Sequence, residues 1–159
     1  MEYAPNTSSQ VDIAISLAKE GYKVFPCRSF GKPKAPYVKW KEEATTNIET
    51  IRSWWKKWPS ALVSVPTGKV NGFTVLDIDK KKDVDGFKTL EQLGLELDSL
   101  LGPRVKTPSG GRHIYFEYSP TVKNSAGKLG PGLDVRNDGG YVIVAGEIAG
   151  QGRYEVVSP

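Results

Sequence analysis

Hydrophobic positions along this chain switch between a helical and a strand spacing. From Ser9 to Glu20, Val11, Ala14, Ile15 and Ala18 recur three and four residues apart, which predicts a helix with one apolar face. Ser9 and Asp12 stand as a capping pair at its start, and Gly21 as its stop. Tyr22–Pro26 predicts a short strand, and Arg28–Lys41, rich in Gly, Pro and Lys, a loop. Thr46 and Glu49 open a second helix as a capping box, with Ile48, Ile51, Trp54 and Trp55 along it and Pro59 at its end. Ala61–Val65 reads as a strand, followed by the turn Pro66-Thr67-Gly68-Lys69. Gly72–Asp79 carries the strongest strand pattern in the chain. Gly86–Leu100 reads as a helix, despite Gly94, with Phe87, Leu90 and Leu93 on one stripe. Arg112–Tyr118 is a strand entered through Ser109-Gly110-Gly111. Gly132–Arg136 and Tyr141–Ala145 are two more, joined across Asn137-Asp138-Gly139-Gly140. Mixed helices and strands with late hairpin-like pairs predict an α+β sheet domain.

The 159 residues suit one compact domain, 1–159, large enough to bury a core without staples. Its end at Glu155–Pro159, just after a strand-like stretch, is what a domain cut from a longer polypeptide would show. No apolar run approaches the ~20 residues of a membrane helix, and Met1–Pro5 lacks the basic and apolar regions of a signal peptide. A single cysteine, Cys27, excludes an internal disulfide and a cysteine-based zinc site. A cytoplasmic protein without membrane partners or structural zinc is expected. The net charge of +4, from 22 Lys and Arg against 18 acids, leans only mildly toward an anionic partner.

Composition therefore leaves the chemistry to particular residues. Side chains alternate faces along a strand, so Asp77 and Asp79 share one face while Leu76 and Ile78 take the other. Two carboxylates so close repel unless a proton or cation lies between them, and hard oxygen donors suit Mg²⁺ or Mn²⁺. A solvated strand end, with Lys80, Lys81 and Lys82 as neighbours, accounts for the same pair. The Gly110-Gly111 turn could let backbone N–H groups cradle an anion, with Arg112 and His113 beside it. Alternation sets His113, the single histidine, with Tyr115 and Glu117 on the more polar face of its strand. A plain Gly-Gly hairpin turn with a surface histidine is the competing reading. Asp134 and Arg136 share a face and could complete a metal and phosphate site, or form a surface ion pair. In Lys32, Lys34, Lys39 and Trp40, cations adjoin an aromatic ring, a combination that can hold phosphates and stack bases of a template. Trp54 and Trp55 belong instead on the core side of their helix.

In order and content these pieces resemble the bifunctional primase-polymerase domain of the archaeo-eukaryotic primase superfamily. The residues that carry the resemblance are Gly21-Tyr22-Lys23-Val24-Phe25-Pro26, Lys32-Pro33-Lys34-Ala35-Pro36, Trp54-Trp55, Pro66-Thr67-Gly68 and Val75-Leu76-Asp77-Ile78-Asp79. Ser109-Gly110-Gly111-Arg112-His113-Ile114-Tyr115-Phe116 and Leu133-Asp134-Val135-Arg136 with Gly139-Gly140-Tyr141-Val142 complete them. The resemblance implies a catalytic sheet similar to an RNA-recognition motif, with an N-terminal α/β unit alongside. It implies template-directed nucleotidyl transfer from dNTPs or NTPs on single-stranded or primed DNA. Asp77, Asp79 and Asp134 would hold two divalent ions, Mg²⁺ or Mn²⁺. His113 would share the catalytic work and, with Ser109, Gly110, Gly111, Arg112 and Arg136, bind the incoming triphosphate. Such domains often adjoin a zinc element, a primer-initiation domain or a helicase. This chain shows none of them, so a helicase or initiation domain would lie downstream in a longer chain. Two other readings compete: a metal-dependent nuclease using the same carboxylates, and a non-catalytic nucleic-acid-binding module. The Gly-Gly-Arg-His turn favours a triphosphate over the first, and three converging acids have no purpose in the second.

Overall fold

The computed structural model describes residues 9–100 and 102–157, so that Met1–Pro5 and Pro159 lie outside the described residues. Helix α1 (Gln10–Lys19) begins where the Ser9 hydroxyl accepts the Asp12 N–H at 3.3 Å. It ends before Gly21, whose φ of +95° turns the chain. Its buried stripe is Ile13, Ala14, Leu17 and Ala18, so the helix is rotated from the expected face and leaves Val11 and Ile15 only half-buried. Strand β1 (Phe25–Cys27) lies later than the Tyr22–Pro26 pattern suggested. Helix α2 (Trp40–Glu43) rises at the end of the expected loop. Helix α3 (Ile48–Lys57) is capped by Asn47, not by Thr46: the Asn47 amide oxygen accepts the Thr50 N–H at 2.9 Å. Trp54 and Trp55 are buried as expected, and the Trp55 indole donates to the Ala61 carbonyl at 3.0 Å.

After β2 (Leu62–Pro66) and β3 (Phe73–Ile78) comes a small hairpin, β4 (Lys80–Lys81) with β5 (Val84–Asp85). Helix α4 (Gly86–Gln92) stops well short of the expected Leu100, because Gly94 adopts φ +77° and Leu93 and Leu95 point to solvent. The remaining strands are β6 (Arg104–Lys106), β7 (Arg112–Glu117), β8 (Ser125–Ala126), β9 (Leu133–Arg136), β10 (Tyr141–Ile148) and β11 (Gly152–Val157). Among the described residues, nine strands form one curled antiparallel sheet in the order β1-β2-β10-β11-β6-β7-β3-β9-β8.

The curl is built into β10. Its first half pairs with β2 and its second half with β11, with a register shift between Ile143 and Ala145. Gly146 sits where the partner changes, at φ +121°, and a Cβ there would meet the Leu62 side chain at 2.7 Å. The expected hairpin between β9 and β10 does not form, since β9 pairs with β3 and β8. Fully buried Asn137 explains the separation. Its side-chain oxygen accepts the Thr74 hydroxyl at 2.9 Å, its amide donates to the Ser119 and Val122 carbonyls, and its own carbonyl accepts the Thr67 hydroxyl at 2.6 Å. A buried amide with all these partners ties the linker to β3 and the 119–124 loop, so the tight turn that the Gly140 N–H closes on the Asn137 carbonyl at 2.9 Å sends β10 away from β9 instead of back along it.

Two cores cover the two faces of β3. Phe73 and Val75 join the larger one, with α1, α3, Tyr115 and the middle of β10. Ile78 joins the smaller one with Ile114, Leu133 and Leu90 of α4. Each such aliphatic side chain removed from water contributes on the order of 1.5–3 kcal/mol. Strand β3 is thus clamped on both faces, and the residues at its end inherit that rigidity.

Candidate active site

Along one face of β3 the sequence runs Phe73, Val75, Asp77. The first two are core residues; the third stands where the core opens. Asp77 pairs across the sheet with His113 of β7 on one side and with Asp134 of β9 on the other. Side chains opposite one another in neighbouring strands lie about 4.5–5.5 Å apart at Cβ. This register alone therefore lines up His113, Asp77 and Asp134 in one row. Asp79 follows just beyond the strand. Its N–H donates to the Gly132 carbonyl at 2.8 Å, and its carbonyl accepts the Gly86 N–H at 2.7 Å. Gly86 and Gly132 must both be glycine for this: a Cβ on Gly86 would stand 2.3 Å from the Gly132 carbonyl oxygen.

The result is a cluster in which carboxylate oxygens of Asp77, Asp79 and Asp134 all lie within 4.8 Å of one another. Partial partners surround it. His113 Nε2 lies 3.3 Å from Asp77 Oδ1, Arg136 3.6 Å from Asp134 Oδ2 and Lys81 4.0 Å from Asp79 Oδ2. The Gly127 N–H donates to Asp134 Oδ1 at 2.9 Å. His113 is only 6 % exposed. The sequence expectation of a more polar strand face fails here: Tyr115 beside it is buried in the larger core, and Tyr154 of β11 lies 6.1 Å from the imidazole ring. The Asp77–His113 approach is at ion-pair distance without hydrogen-bond alignment. Asp77 Oδ1 and His113 Nδ1 remain buried atoms with no hydrogen-bond partner among the described residues. Such atoms are rare in native structures, and each asks for an explanation.

A two-lobed cleft opens over Asp77 and His113, with Asp134 outside its lining. The larger lobe, about 520 Å³, is bounded by Trp40, Tyr141, Val142, Ile143, Asn124 and Arg136. The smaller, about 240 Å³, is bounded by Asp79, Lys81, Thr107, Ser109 and Gln151. Lys34, Asp77, His113 and Tyr154 line both. The model of the bifunctional DNA primase/polymerase N-terminal family matches residues 14–159. The chain belongs to this family. No curated protein matches it.

The electrostatics of this primase/polymerase domain are asymmetric. Burial works to raise the Asp77 carboxyl, but the His113 contact and the charges of His113, Arg136 and Lys34 outweigh it and hold the group below its ordinary value. Asp79 is raised, by burial first and then by the Asp77 charge, with Lys81 opposing. Burial, and after it the nearby Asp77 charge, raises the Tyr154 phenol, which therefore stays protonated. Three carboxylates, all hard oxygen donors and two of them at odds electrostatically, form a donor set that fits a divalent cation. No described helix is long and apolar enough to cross a membrane.

Other residues singled out from the sequence are distributed unevenly. Ser109 lines the smaller lobe. Gly110 spends its N–H on the Thr107 carbonyl at 3.0 Å, so that donor is not turned toward the cleft. Gly111 fits because a Cβ there would stand 2.3 Å from the Ile78 carbonyl oxygen. Arg112 pairs with Ile78, one position out of the carboxylate row, and folds its guanidinium back onto the Gly110 and Gly111 carbonyls at 3.1 and 2.9 Å. Arg136 does line the cleft. Of the four residues assigned to a template, Lys34 and Trp40 line the cleft, whereas Lys32 and Lys39 are exposed outside it. Trp40 is half-buried and stacked on Phe25 at 5.4 Å. Neither Tyr141, which enters the sequence reading as the start of a strand and in the family resemblance, nor Tyr154 was given a site role there. Both lie in strands as unremarkable alternating residues, and only the curl of the sheet turns them toward Asp77.

Proposed function

We propose that this domain catalyses template-directed nucleotidyl transfer from dNTPs or NTPs on single-stranded or primed DNA. The observation that carries the reading is the row itself: three clustered carboxylates, two of them lining a cleft edged by Lys34 and Arg136, beside a buried histidine whose Nδ1 has no hydrogen-bond partner among the described residues. The primer 3′-oxygen would form a bond to the α-phosphorus as the bond to pyrophosphate breaks. Asp77, Asp79 and Asp134 would hold two divalent ions, Mg²⁺ or Mn²⁺. Such ions supply Lewis acidity that lowers the pKa of a primer hydroxyl and offsets charge on the leaving group. His113, oriented by Asp77, would present Nδ1 to a phosphate oxygen. Protonated, the ring donates from both nitrogens, one toward Asp77 and one toward the phosphate. Arg136 would add fixed charge next to Asp134. The polar smaller lobe suits phosphates, and the aromatic larger lobe suits a nucleoside.

Within this reading the β3, β7 and β9 sheet with α4 corresponds to the RNA-recognition-motif-like half of an archaeo-eukaryotic primase fold, and the part bearing α1 and α3 to its N-terminal α/β unit. Residues 1–159 then act as one catalytic domain, with exposed Lys32 and Lys39 nearer a template than the reacting atoms. Any helicase or primer-initiation domain would lie elsewhere in a longer chain. The test is a primed template with labelled dNTPs and Mg²⁺ or Mn²⁺. Extension by the parent, lost in Asp77→Ala, Asp79→Ala and Asp134→Ala, supports the reading. A double Asp77/Asp79 variant that still extends at the parental rate would overturn it. Degradation of the primer would indicate a nuclease, and binding without either reaction a non-catalytic module.

A further inference from the structure

Among the described residues, Lys34 is the one non-glycine with a left-handed backbone, at φ 75°. That conformation costs free energy for a residue with a Cβ, and outliers of this kind gather at functional sites. Two hydrogen bonds hold it. The Lys34 N–H donates to the Arg28 carbonyl at 2.8 Å, and the Tyr141 hydroxyl donates to the Lys34 carbonyl at 2.9 Å. The Tyr141 ring is itself fixed edge-on against Phe25 at 5.2 Å and Trp40 at 5.1 Å. The hydroxyl is therefore presented by a rigid aromatic cluster, not by another loop.

The Lys34 side chain lies along both lobes of the cleft, and its charge acts on Asp77. None of the ion pairs among the described residues includes it. The neighbouring cations are disposed differently. Arg28 covers the Tyr37 ring at 4.4 Å, and Lys32 does not line the cleft. The loop thus brings one unpaired cation to the point where the aromatic lobe meets the polar lobe. A nucleoside triphosphate lying with its base in the first and its phosphates in the second would cross the cleft there.

We propose that the Tyr141 hydroxyl is a positioning group that latches Lys34 in its left-handed conformation, and that Lys34 so held binds the phosphates of the incoming nucleotide rather than those of the template. The assignment rests on the nucleotidyl-transfer reading. Tyr141→Phe removes the latch and keeps the ring; Lys34→Ala removes the exposed cation. Each variant and the double variant are to be compared for binding of inorganic tripolyphosphate in excess Mn²⁺, for nucleotide KM and kcat in primer extension, and for primer-template Kd. Tyr141→Phe should weaken tripolyphosphate and raise nucleotide KM about fivefold, the effect of one ordinary hydrogen bond, with kcat nearly unchanged. Lys34→Ala should weaken both about tenfold or more, as expected for a bond to a charged group. The double variant should match Lys34→Ala alone, because a latch has nothing left to position. Primer-template Kd should not move. Effects of the two changes that multiply would overturn the latch. A shift in primer-template Kd with tripolyphosphate binding unchanged, or no tripolyphosphate binding by the parent, would overturn the phosphate role. Lys34-dependent tripolyphosphate binding in a parent that fails to extend primers would instead count against nucleotidyl transfer and leave the latch standing.

Discussion

Replacing Asp79 by asparagine should stabilise the metal-free domain, whereas the same change at Asp77 should weaken it. The two carboxylates sit in one cluster, but their surroundings have opposite signs. Asp79 is raised by burial and by Asp77, so its ionised form is the disfavoured one. Asp77 is lowered because His113, Arg136 and Lys34 outweigh its burial, so its ionised form is favoured. For unit charges at the 4.8 Å limit of the cluster, repulsion is about 0.9 kcal/mol in bulk water and about 3.5 kcal/mol at an effective dielectric of 20. The Asp79 side chain is 26 % exposed, so the lower part of that range applies; relief of its burial and of the Asp134 repulsion adds to it, and the attraction lost from the exposed Lys81 at 4.0 Å takes part of it away. A net gain of about 1 kcal/mol is expected, or roughly 2–4 °C in Tm for a domain of this size. Asp77→Asn loses the attraction of His113, Arg136 and Lys34, and relief of repulsion returns only part of it, so a deficit on the scale of one ion pair, about 1 kcal/mol or less, is expected. Thermal unfolding in EDTA reads both. In excess Mn²⁺ the parent should gain about 2.7 kcal/mol at a hundredfold excess over Kd, and both variants much less. Equal destabilisation by the two changes in EDTA would refute the reasoning, since it would mean that Asp79 is held by attraction like Asp77.

The pH dependence of the metal-free protein should carry the same two signs. The Asp77 contribution is present above the ordinary carboxyl range and lost as pH falls through it. The Asp79 penalty appears as pH rises through that range, so Asp79→Asn should gain most over the parent at neutral pH and little in acid, as unfolding followed against pH would show. His113→Ala should raise nucleotide KM and lower kcat about tenfold or more while leaving primer-template affinity and Mn²⁺ stabilisation in place; loss of Mn²⁺ stabilisation would make the histidine a metal ligand. Gly86→Ala should cost several kcal/mol, because its Cβ would meet the Gly132 carbonyl at 2.3 Å and force apart the segments that hold Asp79. A Tm within 2 °C of the parent, by the same roughly 2–4 °C per kcal/mol, would mean that the contact relaxes.

Several features were legible in the sequence because they depend only on neighbours in the chain. Strand alternation placed Asp77 and Asp79 on one face and Ile78 on the other, and the Ser9 cap and the core side of Trp54 and Trp55 followed from helical spacing. Where local rules competed, sequence reading failed at close range: Asn47 capped α3 in place of Thr46, and Gly94 ended a helix that was expected to reach Leu100. What only the tertiary structure decided was which strands meet. Adjacency in sequence suggested that β9 turns back on β10, but Asn137 spends its hydrogen bonds on β3 and the 119–124 loop, and that choice sets Asp134 beside Asp77. The same crossing leaves β10 free to bend from β2 to β11, which carries Tyr141 and Tyr154 to the carboxylates and sets Lys34 over them. Periodicity reports the face a residue occupies. The partner across the sheet is chosen by long-range hydrogen bonds and buried volume, to which distant segments contribute together, and no local window contains them.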